Sequence, residues 1–334
     1  MPLERKVGQL FIVGGPATGV GSATRAAVTK YHVGGVMLSG RSGAGVSATA
    51  RVSAGVQARA AGGVPLFVAT DQEGGAVRVL RGPGFSTIPS AMSQGRWSAA
   101  TLQTRAAGWG KQLRAAGINL NLAPVADTVP RELGGRNAPI GRYGRQYGFS
   151  TGDVSRSAMA FSRGMQQAGV VPTVKHFPGL GRVTGNPDFT GGVTDRVTRR
   201  GDPYLEPFAR SIAAGVPFVM MSTAYYSRID AERPAAFSPI VIGTVLRGDL
   251  GFTGVVISDD LGRARQVAAV PRGARAVRFI AAGGDVVLTV DPSLLPVMYE
   301  AVLARARTDS RFRAQVEASV TRVLRAKQDA GLLG

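Results

Sequence analysis

Lys175 and His176 stand at the end of the apolar run Val170–Val174 and are followed at once by the Pro/Gly-rich stretch F-P-G-L-G, so a strand delivers a cation and an imidazole to the start of a loop. Asp71 after L-F-V-A-T, Asp127 after N-L-A-P-V-A and Asp259 after V-V-I-S occupy equivalent places. Taken singly, each aspartate reads as well as a helix cap or a turn residue. Together they bring carboxylates, an ammonium and an imidazole to the ends of four strands, a set suited to gripping a polar small molecule and to nucleophilic or acid–base chemistry. Asp260 follows Asp259 directly. Adjacent side chains at a strand end point opposite ways, so one carboxylate faces the site and the other is free to cap the next helix.

Something must hold those strand ends on one face. Eight short apolar runs recur at intervals that leave room for a helix: Leu10–Val13, Gly35–Leu38, Leu66–Thr70, Ile118–Leu122, Val170–Val174, Phe218–Met221, Val255–Ile257 and Val286–Val290. Between them lie Ala- and Arg-rich segments of helical period, among them Val46–Ala61, Ala99–Ala116, Val154–Ala168 and Tyr204–Ala214. Alternating strand and helix gives a parallel sheet. The chain has 334 residues, enough for two average domains or for one barrel of about 250 residues or more. Eight repeats without a linker favour a single (β/α)8 barrel of the TIM type over residues 1–334, with its site at the carboxyl ends of the strands.

Composition narrows the chemistry. Hydrophobic residues make up 44% of the chain, and no run approaches the ~20 apolar residues of a membrane span. No cysteine is present, which excludes disulfides and thiolate chemistry, and two histidines, His32 and His176, leave little for a metal site; neither a cofactor nor a metal is expected. The net charge of +19 comes from arginines scattered along the chain, with no basic block interleaved with aromatics, so we read it as a compositional bias rather than nucleic-acid binding. The start, M-P-L-E-R-K-V-G-Q-L-F-I-V-G-G, runs straight into a strand-like segment without a signal-peptide pattern; the sequence as given reads as cytoplasmic, although a removed leader would look the same. A monomer is favoured.

The stretch K-H-F-P-G-L-G resembles the K-H-F-P-G-H-G signature of glycoside hydrolase family 3, in its single-domain β-N-acetylglucosaminidase branch. The resemblance extends through K-V-G-Q-L-F-I-V-G at Lys6, D-Q-E-G-G at Asp71, I-N-L-N-L-A-P-V-A-D at Ile118 and L-R-G-D-L-G-F-T-G-V-V-I-S-D-D-L at Leu246, nearly the whole chain. It implies a retaining glycosidase acting on terminal β-linked N-acetylglucosamine, with Asp259 as nucleophile and Asp71, Lys175 and His176 gripping sugar hydroxyls, since charged groups and an imidazole pair well with vicinal hydroxyls. A family arginine falls on Arg145, with Arg142 the neighbouring choice. Met221, Tyr225 and Tyr226 are candidates to line an N-acetyl pocket and read equally as packing. Ala76 and Val79 stand where the family usually has arginines, and Arg78 or Arg81 are the residues near enough to compensate.

One departure touches the mechanism. The family carries its acid/base histidine in a D-S-H triplet after the fifth strand, and that triplet falls here on Asn186, Pro187 and Asp188; the second histidine of the signature becomes Leu180. Three readings are open. Asp188 serves as acid/base, its pKa raised by Leu180, Phe177, Phe189 and the charge of Asp259 and opposed by Arg182; or the chain is a weakened hydrolase or a silent sugar-binding relative; or the acid comes from Asp195, Glu73 or another subunit. Phosphorolysis is disfavoured, because a carboxylate at that place repels phosphate. The glycine-punctuated loop is expected to move as a lid.

Overall fold

A computed structural model describes residues 1–60 and 63–333. Eight parallel strands close into a barrel: β1 (Phe11–Pro16), β2 (Gly35–Ser39), β3 (Phe67–Thr70), β4 (Leu120–Asn121), β5 (Val171–Phe177), β6 (Phe218–Met221), β7 (Val255–Asp260) and β8 (Val286–Thr289), each beside its sequence neighbour and β8 back against β1. Every residue of β5 is buried, as expected of a parallel strand covered on both faces. This is the expected (β/α)8 architecture, and each of the eight apolar runs overlaps a barrel strand.

The helices cover the barrel. Their apolar faces pack on the outer side of the strands, as in Thr151–Gln167, which buries Val154, Ala158, Phe161 and Met165. Ser98 and Ser150 accept the backbone N–H of Thr101 and Asp153, fixing where two long helices begin. The segment expected as one helix over Val46–Ala61 is a helix over Gly45–Gln57, and Ala61 lies outside the described residues. Tyr204–Ala214 divides into a tight 3-10 turn over Pro203–Leu205 and a helix over Glu206–Ala213. Two features were not anticipated. The amino-terminal Leu3–Gln9 is a helix, and the loops after β5 and β6 join in a three-stranded sheet of Thr194–Arg199, Tyr225–Arg228 and Asp230–Pro234. Among the described residues, no helix is long and apolar enough to cross a membrane.

At the amino-terminal end of the barrel Lys327, wholly buried, donates to Gln9 Oε1 at 2.7 Å. At the other end the strands deliver their polar residues to one cavity.

Candidate active site

The cavity holds about 390 Å³ and is walled by residues from the ends of several strands: Asp71 after β3, Lys175 and His176 in β5, and Asp259 in β7, with Arg145 and Asp188 supplied by loops. Convergence of distant residues at the carboxyl face is a property of the barrel itself.

Glu73 organises one wall. Arg145 grips it with Nε at 2.9 Å and Nη2 at 2.7 Å, the fork geometry that guanidinium and carboxylate share, and Lys175 Nζ lies 2.6 Å from the same carboxylate. Lys175 also donates to Asp71 Oδ1 at 2.7 Å. Burial favours the neutral form of Glu73, but the charges of Arg145 and Lys175 and their hydrogen bonds outweigh it and hold the acid at about 2. Burial likewise opposes the charge of Lys175, and Asp71 and Glu73 overcome it, raising its pKa. Both partners therefore stay ionised and fixed. Of the arginines considered from the sequence, Arg145 lines the cavity; Arg142 is exposed and does not line it, nor do Arg78 and Arg81.

Asp127 organises a second wall. Its Oδ2 lies 2.7 Å from His176 Nδ1, and its Oδ1 accepts the backbone N–H of His176 at 3.2 Å and of Leu180 at 2.7 Å. With Nδ1 engaged, Nε2 is the nitrogen left for a ligand.

Of the two adjacent aspartates, Asp260 is committed to structure, accepting from Gly262 N at 2.9 Å and Val290 N at 3.1 Å, while among the described residues Asp259 accepts only the N–H of Asp260, at 2.8 Å. Asp259 is thus the freer carboxylate. Asp188 borders the same cavity and keeps a side open to solvent, though the pocket wall crowds its carboxyl. Burial first, and then the negative charge of Asp259, push that carboxyl up to about 7 against the pull of His176 and Arg145.

The surroundings of Asp188 differ from expectation. Leu180 lines the cavity, but Phe177 is fully buried and packs edge-on to Phe208 at 5.3 Å, and Phe189 is 78% exposed, so neither shields the acid. Arg182 does not oppose the shift, because it turns away to Asp202 at 2.9 Å and stacks over Tyr204. The loop is docked rather than free: Asn137 Nδ2 donates to the carbonyls of Leu180, Gly181 and Val183, Arg265 N donates to Asp188 O at 3.1 Å, Gln266 N donates to Pro187 O at 3.0 Å, and the Gln266 side chain pairs with the backbone of Val193. Gly181 is needed for this docking, since a Cβ there would collide with the carbonyl of Thr128.

Other expectations fail at the opposite wall. Met221 is fully buried and does not reach the cavity; Met220, paired in register with the cavity residue Lys175, lines it. Tyr226 is buried with its hydroxyl donating to Gly179 O at 2.8 Å, and Tyr225 lines a different cavity beside Arg233. Asp195 is buried within the strand Thr194–Arg199, accepting from Val197 N, Thr198 N and Thr198 Oγ1, and does not line the cavity.

Comparison with known proteins agrees with this geometry. The sequence model described as Glycosyl hydrolase family 3 N terminal domain matches residues 2–326. A protein named Beta-hexosaminidase from Stenotrophomonas maltophilia is 35% identical over 307 residues, 89% of this chain and 88% of that protein. The crystal structure of Beta-N-acetylhexosaminidase from Beutenbergia cavernae superposes with a TM-score of 0.97 at 51% identity, covering 98% of this chain and 99% of that one. A glycoside hydrolase family 3 beta-N-acetylglucosaminidase from Paenibacillus sp. superposes with a TM-score of 0.89 at 32% identity, over 99% of this chain and 63% of that one. By that family match and these relatives, the chain belongs to glycosyl hydrolase family 3.

Proposed function

We propose that this chain is a retaining β-N-acetylhexosaminidase that releases terminal β-linked N-acetylglucosamine from glycans or cell-wall fragments, with Asp259 as nucleophile and Asp188 as acid/base. The observation that carries the reading is the meeting, in one cavity, of the lightly bonded carboxylate of Asp259 at the end of β7 with the carboxyl of Asp188 on the docked loop, whose pKa burial and the charge of Asp259 raise. Retaining hydrolysis asks for two carboxyls in one site, one free to attack and one raised in pKa to give up a proton.

In the first step Asp259 attacks the anomeric carbon while Asp188 donates its proton to the departing glycosidic oxygen, leaving a glycosyl ester. In the second, ionised Asp188 takes a proton from water, which attacks the same carbon and releases Asp259. Asp71, Lys175, Arg145 and His176 hold the sugar, fixed by Glu73 and Asp127, so that little reorganisation is needed as charge develops. Glu73 is unsuited to the proton-donor role because it is ionised and held by two cations. Asp195 is unsuited because it is buried away from the cavity.

Trapping tests the assignment. Incubation with a fluorosugar analogue of N-acetylglucosamine bearing an activated leaving group, followed by peptide mass analysis, is expected to find one glycosyl group on Asp259. A label on another carboxylate, or binding without any adduct or turnover, overturns it.

A further inference from the structure

Among the described large apolar side chains, Phe189 stands apart: it is 78% exposed, whereas no other exposed one passes 50%. An aromatic ring left in water costs free energy that only an occupant recovers. The ring is not on a loose tip. Asn186 accepts the backbone N–H of Asp188 on its side chain at 3.0 Å and that of Phe189 on its carbonyl at 3.0 Å, and Pro187 and Asp188 are bonded to Gln266 and Arg265. Backbone and loop therefore present Phe189 in a fixed place at the rim of the catalytic cavity.

That place has a direction. Phe189 follows Asp188, and the acid must sit beside the oxygen that leaves with the aglycone. The ring accordingly lies on the leaving-group side, away from the polar wall of Asp71, Lys175 and Arg145 that suits the sugar being cleaved. Arg263 lines the same cavity, largely exposed and steadied by Asp291 at 3.0 Å. A flat apolar surface and a hydrogen-bond donor lining one cavity match a pyranose ring, which has C–H groups on one face and hydroxyls around its edge.

We propose that Phe189 is the platform for the leaving group, so that the site favours β-glycosides whose aglycone is itself a sugar ring over those with a small alkyl aglycone. This rests on the hydrolase reading and on Asp188 as its acid.

The test compares kcat/KM for N,N′-diacetylchitobiose and for methyl β-N-acetylglucosaminide in wild type, Phe189→Ala and Phe189→Trp. Because the side chain is exposed, the alanine variant is expected to melt with the wild type. The chitobiose-to-methyl ratio should fall about tenfold in Phe189→Ala, the scale of partly burying a phenyl ring, chiefly through KM, and should survive in Phe189→Trp. An unchanged ratio, or an equal fall on both substrates, overturns the platform and leaves the hydrolase reading standing. Inertness of the wild type on both glycosides overturns the two together.

Discussion

His176 Nδ1 lies 2.7 Å from Asp127 Oδ2, and the other oxygen of that aspartate accepts the backbone N–H groups of His176 and Leu180. One buried carboxylate thereby sets the tautomer of the imidazole and the path of the chain into the catalytic loop. Asp127→Asn keeps the shape but supplies one donor in place of an acceptor. We expect kcat/KM to fall about 100-fold, the cost of a misplaced binding group, with part of the loss in kcat because the same change loosens the loop that carries Asp188. Steady-state kinetics check this; a pure KM effect would limit Asp127 to sugar binding.

Glu73 separates binding from folding. Glu73→Gln keeps the size of a side chain flanked by Arg145 and Lys175 but removes the charge that holds them, so KM should rise while the protein still folds. Glu73→Ala leaves two buried cations short of a partner and should lower stability by about 3–5 kcal/mol in denaturant unfolding.

The pH profile reports on Asp188. Its carboxyl is held above the usual carboxylate range, and as proton donor it must be protonated, so glycosylation weakens as pH rises through its pKa near neutrality. Asp188→Asn should erase that alkaline limb. With a p-nitrophenyl substrate, whose leaving group needs no protonation, the variant should give a burst of nitrophenol and then turn over slowly, because the second step still lacks its base.

Much of this was readable from the chain, for physical reasons. Strands buried on both faces read as short continuous apolar runs, so all eight were visible, and a polar residue at the end of such a run has nowhere to go but the barrel mouth. Asp259, Asp71, Lys175, His176, Arg145 and Asp188 were found that way or by resemblance, and all border one cavity. What failed depends on distance or on parity. The loop looked free because Gln266 and Asn137, which pin it, are far away in sequence. Met221 looked like a lining residue from its place at the end of the apolar run of β6, whereas the residue in register with Lys175 is Met220, one position earlier. Glu73 looked like a spare acid because its ion-pair partners, Arg145 and Lys175, are far away in sequence; the alternation in D-Q-E, which puts Asp71 and Glu73 on one side, was the available signal.

Lys327 offers a stability test remote from the site. Burial lowers its pKa from 10.5 to about 7, so between those values the unfolded chain holds a proton that the folded protein does not, and stability rises with pH across that window. Lys327→Met should therefore raise the melting temperature more at pH 7 than at pH 9.5. An equal gain at both would mean the ammonium is not suppressed in the folded protein.

The two carboxylates can be tested side by side, by hydrolysis of p-nitrophenyl β-N-acetylglucosaminide by wild type, Asp259→Asn and Asp188→Asn, each with and without azide. The account predicts an active wild type, an Asp259 variant that is inert and stays inert, and an Asp188 variant whose slow turnover azide accelerates with release of the β-glycosyl azide. An Asp259 variant that retains turnover, or an Asp188 variant indifferent to azide, would contradict it.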